Sequence, residues 1–180
     1  VNTVLRDILI HEEPVDDEER RDVLEDRMEE VFKQYAGEID PETFYKTRYY
    51  LLRDFDGYGK IDAMMRDRGI EDISCDGPGI PVFVYHRNYR DLVTNVVFER
   101  ERDLNSFVVR LAQKSGRHIS ISNPLVDASL PDGSRVQVTL GTDVSTRGSN
   151  FTVRKFSDVP ITPVDLIRWN TFSLEEMAYF

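Results

Sequence analysis

The sequence predicts an α+β fold, in which three N-terminal helices precede a mainly antiparallel sheet with a packed helix, as in a PAS-like α/β sandwich. Apolar residues recur at helical spacing up to about residue 68, and short strands with alternating residues begin at Ile70. Within the strand-rich part, residues 104–115 again show helical spacing. These two changes of period indicate a mixed architecture.

The three N-terminal helices are predicted from their apolar stripes and their ends. The first covers residues 16–36, with acids crowded into its first turn and a stop at Gly37. The second begins with Asp40 as N-cap and Pro41 at the first helical position. The sequence DGYG at 56–59 ends it, and a third helix covers about residues 60–68.

Short strands and one helix are predicted for the next 50 residues. Apolar positions 73, 82, 84 and 85 indicate strands, which the turn sequence DGPG separates. A turn at 86–89 leads to a strand over 92–98. The helix over 104–115 is expected to be capped by Asp103 and to end at Gly116.

Three further strands are the centre of the prediction, because the register between two of them can be worked out. They cover residues 125–130, 135–140 and 150–156, and the turn sequence PDG joins the first two. The last two alternate apolar and polar residues on either side of a polar loop. If they pair antiparallel about the centre of that loop, Arg135 lies opposite Arg154, at the end of the sheet away from the loop.

Two interpretations of this arginine pair stay open at the level of spacing. Two like charges directly opposite each other are unfavourable. A chain that keeps them there is suited to bind a dianion, for which the guanidinium group has the right geometry. Alternatively, both arginines are solvated residues of the strand surface, and spacing alone favours this second interpretation.

Composition and charge exclude several classes of function. The 180 residues carry a net charge of −10, with 12 acids and 5 bases in residues 1–36 but 3 acids and 7 bases in 105–156. The acidic end argues against nucleic-acid binding, and the basic segment indicates a local anion site or an acidic partner. One cysteine, Cys75, excludes an internal disulfide and fits a reducing compartment. One cysteine and three histidines make a zinc site improbable, and no metal site is predicted.

A self-contained enzyme is not indicated. The sequence has no Walker A loop, since Gly57-Tyr58-Gly59-Lys60 has the wrong spacing and no Ser or Thr follows the lysine. Asp127, Asp132 and His118 can be imagined as an acid–base group. Asp132, however, is predicted to be a turn residue, and no serine or cysteine near His118 has the signature of a nucleophile. Cys75 is expected to be a small buried residue.

Two short helices are predicted at the end of the chain. Thr162 before Pro163 is a suitable N-cap, and Ser173-Leu174-Glu175-Glu176 is a capping box. Because the chain stops within the last of these amphipathic helices, we expect it to be part of a longer protein.

Five sequence motifs in a fixed order resemble one known family. They are DISCDG at 72–77, VFVYHR at 82–87, SGRHIS at 115–120, LPDGSR at 130–135 and FTVRKF at 151–156. Together they resemble the N-terminal region of the type II/type IV secretion ATPase superfamily. The sequences YLLRDF, GYGKID and IED, which lie between residues 50 and 72, are similar to its archaeal pilus-assembly and archaellum motor branch. The resemblance covers most of residues 40–180.

The resemblance implies a domain organisation and a nucleotide site. Such proteins are homohexameric cytoplasmic motors, whose N-terminal domain is linked to a RecA-like ATPase domain with nucleotide between the two. By motif, Arg135 and Arg154 take the role of arginine fingers on the phosphates of ATP, with Arg147 and Lys155 as further nucleotide contacts. The implied division of the chain is a helical subdomain over 1–68, a nucleotide-clamping subdomain over 69–159, and a linker with the start of the ATPase domain over 160–180.

The resemblance also implies partners and a location. The partners are the protein's own ATPase domain, which brings magnesium with ATP, further subunits of the hexamer, and a membrane platform protein. Residues 1–68 are the candidate segment for docking to such a machine part, on the basis of their position and charge alone. The implied location is the cytoplasm, at the inner face of the membrane. The alternative is a stand-alone interaction module that uses its acidic helices to hold a partner. No nucleic acid is expected under either hypothesis.

By itself the chain is predicted to hydrolyse no ATP and to bind nucleotide poorly. The phosphate loop, the magnesium-binding acids and the catalytic base of the family belong to the ATPase domain, and none of them is in these 180 residues. The purified chain should therefore give no ATP turnover in a phosphate-release assay. Measurable turnover that follows the chain through purification would contradict this prediction.

Overall fold

A computed structural model describes Glu25, Asp26, Met28, Glu30, Lys33 and residues 40–156 and 162–179. The chain divides into two compact units, Val1–Arg66 and Asp67–Phe180. Most of the predicted first helix, over 16–36, lies outside the described residues. The five described residues within it are helical.

The first unit contains the second predicted helix, α1, with the predicted ends. It covers Pro41–Phe55, and the side chain of Asp40 accepts a hydrogen bond from the Thr43 amide at 2.6 Å. Pro41 occupies the first turn, where its missing N–H costs nothing. The buried apolar residues described in this unit are Met28, Leu51, Ile61, Met64 and Met65.

The third predicted helix is shorter than expected. A 3₁₀ turn over Gly59–Ile61 leads into α2, Asp62–Arg66, so the helix ends two residues before the predicted boundary. The reason is local, because the Asp67 side chain accepts a hydrogen bond from the Gly69 amide at 2.8 Å. This turn competes with a continued helix.

The second unit is a six-stranded antiparallel sheet with helices, which confirms the α+β class. Its strands follow the order β3-β2-β1-β6-β5-β4, so two three-stranded meanders join through β1 and β6. The strands are β1 Ile70–Cys75, β2 Pro81–His86, β3 Arg90–Val97, β4 Leu125–Ser129, β5 Arg135–Thr139 and β6 Asn150–Arg154. The helices are α3 Glu101–Lys114 between the meanders, and α4 Pro163–Arg168 and α5 Leu174–Tyr179 at the end.

The core of this unit lies between α3 and one face of the sheet. Alternate strand residues are buried, and α3 contacts β5 and β6. The rings of Phe98, Phe107 and Phe151 meet here, with 5.0 Å between the centroids of Phe107 and Phe151. The other buried residues of this layer include Ile73, Val82, Val84, Leu104, Val108, Leu111, Val136, Val138 and Val153.

The start of α3 differs from the prediction. The helix begins at Glu101 with Arg100 as its N-cap residue, three positions before Asp103. Asp103 lies in the first turn and accepts two hydrogen bonds from the Arg100 guanidinium, at 2.9 and 3.1 Å. The apolar period that marks a helix begins only at Leu104, because the first turn is charged and exposed.

The two C-terminal caps are confirmed. Thr162 and Asp165 form a reciprocal capping box at the start of α4. Before α5, the Ser173 hydroxyl accepts a hydrogen bond from the Glu176 amide at 3.1 Å, and the Glu176 carboxylate accepts one from the Ser173 amide at 2.9 Å. None of the helices in the described ranges is both long enough and apolar enough to cross a bilayer.

Candidate anion site on the open sheet face

The predicted register of the last two strands is confirmed. Arg135 of β5 lies directly opposite Arg154 of β6, and Val136 lies opposite Val153. A slip of one residue would move the buried valines to the solvent face, so the hydrophobic pattern holds this register. The two arginines are therefore neighbours at the end of the sheet away from the 141–149 loop.

Both arginines lie on the face of the sheet that α3 does not cover. The Arg135 side chain is 72% exposed and that of Arg154 is 78% exposed. Gln137 and Thr152, the next outward residues of the same strands, are also exposed. The guanidinium groups are thus open to a ligand that approaches from solvent.

Each arginine contacts one aspartate on its outer neighbouring strand. Arg154 Nε donates a hydrogen bond of 3.2 Å to Asp72 Oδ1, and Asp72 lies directly opposite Arg154 on β1. Arg135 Nη2 lies 3.7 Å from Asp127 Oδ1 on β4. Four charges therefore follow one another across four strands, in the order Asp127, Arg135, Arg154 and Asp72, with no net charge.

The aspartates explain how the sheet tolerates two opposed arginines. Like charges directly opposite each other repel, and a carboxylate on each outer side offsets that repulsion. The sequence-based prediction of the arginine pair did not place either aspartate beside it. The position of Asp127 could have been predicted, because the short turn after β4 sets the β4–β5 register. That register places Ser129 opposite Arg135, and Asp127, two residues before Ser129, lies on the same face of the sheet.

The other two predicted nucleotide contacts, Lys155 and Arg147, are not part of this opposed pair. Lys155 follows directly after Arg154, and its ammonium group donates a hydrogen bond to the Asp67 carbonyl. Arg147 is exposed and precedes β6, so the length of that strand, about 13 Å, separates it from Arg154. The structure therefore brings together Arg135 and Arg154, with Lys155 adjacent, but it does not bring Arg147 to them.

The residues considered for acid–base or nucleophilic chemistry have structural roles or are exposed. Asp132 is a turn residue as predicted, and its carboxylate accepts hydrogen bonds from the amide and hydroxyl of Ser134, at 3.1 and 3.0 Å. His118 is exposed in the segment after α3. Cys75 is buried as predicted, and this burial raises the pKa of its thiol, which disfavours the reactive thiolate.

The arginine pair is suited to binding a phosphate group. Two exposed guanidinium groups on adjacent strands can each donate paired hydrogen bonds to one anion. Their present partners are exposed carboxylates, and such surface ion pairs contribute only about 0 to 1 kcal/mol. Within the described residues, no group of His, Cys, Asp and Glu side chains is arranged to hold a metal ion.

Comparison with curated proteins finds relatives in Methanocaldococcus jannaschii. Uncharacterized protein MJ1288 is 47% identical over 133 residues, which are 74% of this chain and 53% of that protein. Uncharacterized protein MJ0900 is 44% identical over 141 residues, 78% of this chain and 25% of that protein. Uncharacterized protein MJ0781 is 35% identical over 121 residues, 67% of this chain and 16% of that protein. No protein-family model matches the chain.

The match to these relatives covers only part of each of them. The chain spans about half of the first, a quarter of the second and a sixth of the third. The same segment therefore recurs within longer proteins of different length.

Among solved structures, the chain is similar to the VirB11 ATPase of the Brucella suis type IV secretion system, crystallised in complex with sulphate. The TM-score is 0.47 and the identity 24%, over 59% of this chain and 32% of that one. Values this low give no basis for transferring a function.

Proposed function

We propose that this chain is the nucleotide-clamping N-terminal domain of a hexameric secretion or pilus-assembly ATPase. Arg135 and Arg154 then contact the phosphates of ATP held by a RecA-like motor domain of the same protein. The proposal is supported by the five ordered motifs, which resemble this superfamily, and by the recurrence of the segment within longer relatives.

One observation carries the assignment of the arginines. Two motif arginines, 19 positions apart in sequence, lie opposite each other on adjacent strands with both guanidinium groups exposed. In the proposed function, the guanidinium groups of both arginines bind one phosphate group of ATP at the same time. Their chemical contribution is to neutralise charge on the transferring phosphoryl group, while the motor domain holds magnesium and the attacking water.

Removal of either arginine is expected to lower ATP turnover. In a full-length protein with a motor domain, Arg135→Ala and Arg154→Ala should each reduce kcat by about tenfold or more. The reason is that each substitution removes a positive charge that stabilises the negative charge of the transition state. Arg147→Ala should have a smaller effect, since Arg147 lies at the other end of β6. Turnover is measured by phosphate release, with the hexamer checked by light scattering.

Arg100→Ala is the matched control for this experiment. Arg100 is 70% exposed and also contacts a single aspartate, Asp103, but it lies at the start of α3 and no arginine lies opposite it. Its replacement should leave turnover unchanged. Unchanged turnover in Arg135→Ala and Arg154→Ala, with intact hexamers, would reject the proposed function.

The proposal includes partners and a location. The domain works beside its own ATPase domain in a homohexamer, in the cytoplasm, and a membrane platform protein docks to residues 1–68. The support for this docking is the charge of the segment, which carries an excess of seven acids in residues 1–36. Normal assembly of the machine after deletion of residues 1–68 would contradict the docking role.

A second candidate function is a module that binds a protein partner through its acidic helices. The observation that favours it is the charge balance of the sheet face, where Asp72 and Asp127 already neutralise the two arginines. Under this alternative the arginines are surface residues, and the turnover experiment gives no effect at either position.

A further inference from the structure

The two aspartates next to the arginine pair have no role in the proposed function. They come from strands on either side of the pair, Asp72 from β1 and Asp127 from β4. Each contacts the nearer arginine, at 3.2 Å for Asp72 and 3.7 Å for Asp127. As a result, each guanidinium group has its own carboxylate on the side away from the other arginine.

The two ion pairs are weak enough for an incoming anion to replace the carboxylates. All four side chains are at least one-third exposed, so water screens the two ion pairs. The Asp127 contact is longer than a hydrogen bond and therefore weaker still. An incoming phosphate carries more charge than one carboxylate and accepts more hydrogen bonds, so it competes effectively for both guanidinium groups.

We infer that Asp72 and Asp127 are built-in counter-ions, which hold Arg154 and Arg135 while no anion is bound and which an arriving phosphate group displaces. They therefore set the affinity of the arginine pair for phosphate. While they hold the arginines, the open sheet face carries no net positive charge and does not attract free anions. When the arginines turn to a phosphate, the repulsion between the two guanidinium groups is offset by the ligand.

The inference rests on one part of the proposed function, the binding of phosphate by the arginine pair, and it does not depend on a role of the pair in ATP turnover. Its test uses this 180-residue chain alone and inorganic tripolyphosphate, which has the phosphate groups of ATP without the base. The dissociation constant is measured by NMR titration at low salt and without metal. Asp72→Asn and Asp127→Asn keep the shape of each side chain and remove its charge.

Each single substitution is expected to tighten tripolyphosphate binding by about three- to fivefold, since one negative charge next to the site is removed. The double variant should bind about tenfold more tightly or better. Adding Arg154→Ala to the double variant should abolish the gain. The matched control is Asp103→Asn, which removes the same charge and releases an exposed arginine, Arg100, that has no second arginine opposite it.

Three results would overturn the inference. The first is binding by the two aspartate variants that is no tighter than in Asp103→Asn. The second is weaker binding, which would mean that the carboxylates orient the arginines for the anion. The third is a gain that survives Arg154→Ala, which would come from overall charge instead of the pair.

The two proposals fail separately. Tighter tripolyphosphate binding by the aspartate variants, together with unchanged turnover in the full-length arginine variants, would reject the proposed function and support the inference. Lost turnover in the arginine variants, with no change in tripolyphosphate binding by the aspartate variants, would reject the inference and support the function.

Discussion

Replacing Phe151 by alanine is expected to lower the free energy of unfolding of the second unit by about 3 to 5 kcal/mol. Phe151 is 1% exposed and is the second residue of β6. Its ring contacts Phe107 of α3 and Phe98, with centroid distances of 5.0 and 6.1 Å. Truncation leaves a cavity between the helix and the sheet and also removes two aromatic contacts.

This loss is a large share of the 5 to 15 kcal/mol that stabilises a typical domain. Native-state hydrogen exchange of the β5 and β6 amides reports the unfolding of this unit separately from the first. Thr152→Ala is the control, because Thr152 is the next residue of the same strand and points to solvent. A cost for Phe151→Ala as small as that of Thr152→Ala would show that the aromatic layer does not hold α3 on the sheet.

Replacing Asp62 by alanine is expected to lower the stability of the first unit by about 2 to 3 kcal/mol. The Asp62 side chain is 3% exposed, and it accepts hydrogen bonds from the Tyr58 amide at 3.0 Å and from Arg66 Nε at 2.7 Å. This second bond raises the pKa of Arg66. Alanine leaves the Tyr58 N–H without this acceptor, whereas the exposed Arg66 regains water.

Two further variants separate the buried hydrogen bond from the charge of Asp62. Asp62→Asn keeps an oxygen that can accept from the Tyr58 amide, so its cost should be smaller. Asp54→Ala removes an ion pair of 2.7 Å between the half-buried Arg53 and the exposed Asp54, and it should change stability by no more than about 1 kcal/mol. Hydrogen exchange of the Tyr58 and α1 amides gives these values. Equal costs for Asp62→Ala and Asp54→Ala would contradict the structural role of the buried carboxylate.

The elements that the sequence predicted well are those with local determinants. The start of α1 at Asp40-Pro41 and the capping boxes before α4 and α5 depend on residues within one turn of each other. The β5–β6 register follows from alternating apolar residues on two strands joined by one loop. Such signals lie within a short stretch of chain and do not depend on the rest of the fold.

The boundaries that were wrong lie where a charged turn precedes or ends the apolar pattern. The first turn of α3 is charged and carries no apolar period, so the predicted helix began too late, at Leu104. The third N-terminal helix was predicted to continue to Arg68, but the side chain of Asp67 forms a turn with the Gly69 amide. At the second of these boundaries one side-chain hydrogen bond ends the helix, and composition does not show it.

The sequence by itself determined the α+β class, the caps of α1, α4 and α5, and the opposition of Arg135 and Arg154. Only the tertiary structure decided that β1 lies beside β6, which brings Asp72 to Arg154 from 82 positions away. The physical reason is that side-chain alternation and turn geometry are properties of neighbouring residues. Which distant strand adds to a free sheet edge depends on how all the buried faces pack together, and here that packing sets the charge next to the arginine pair.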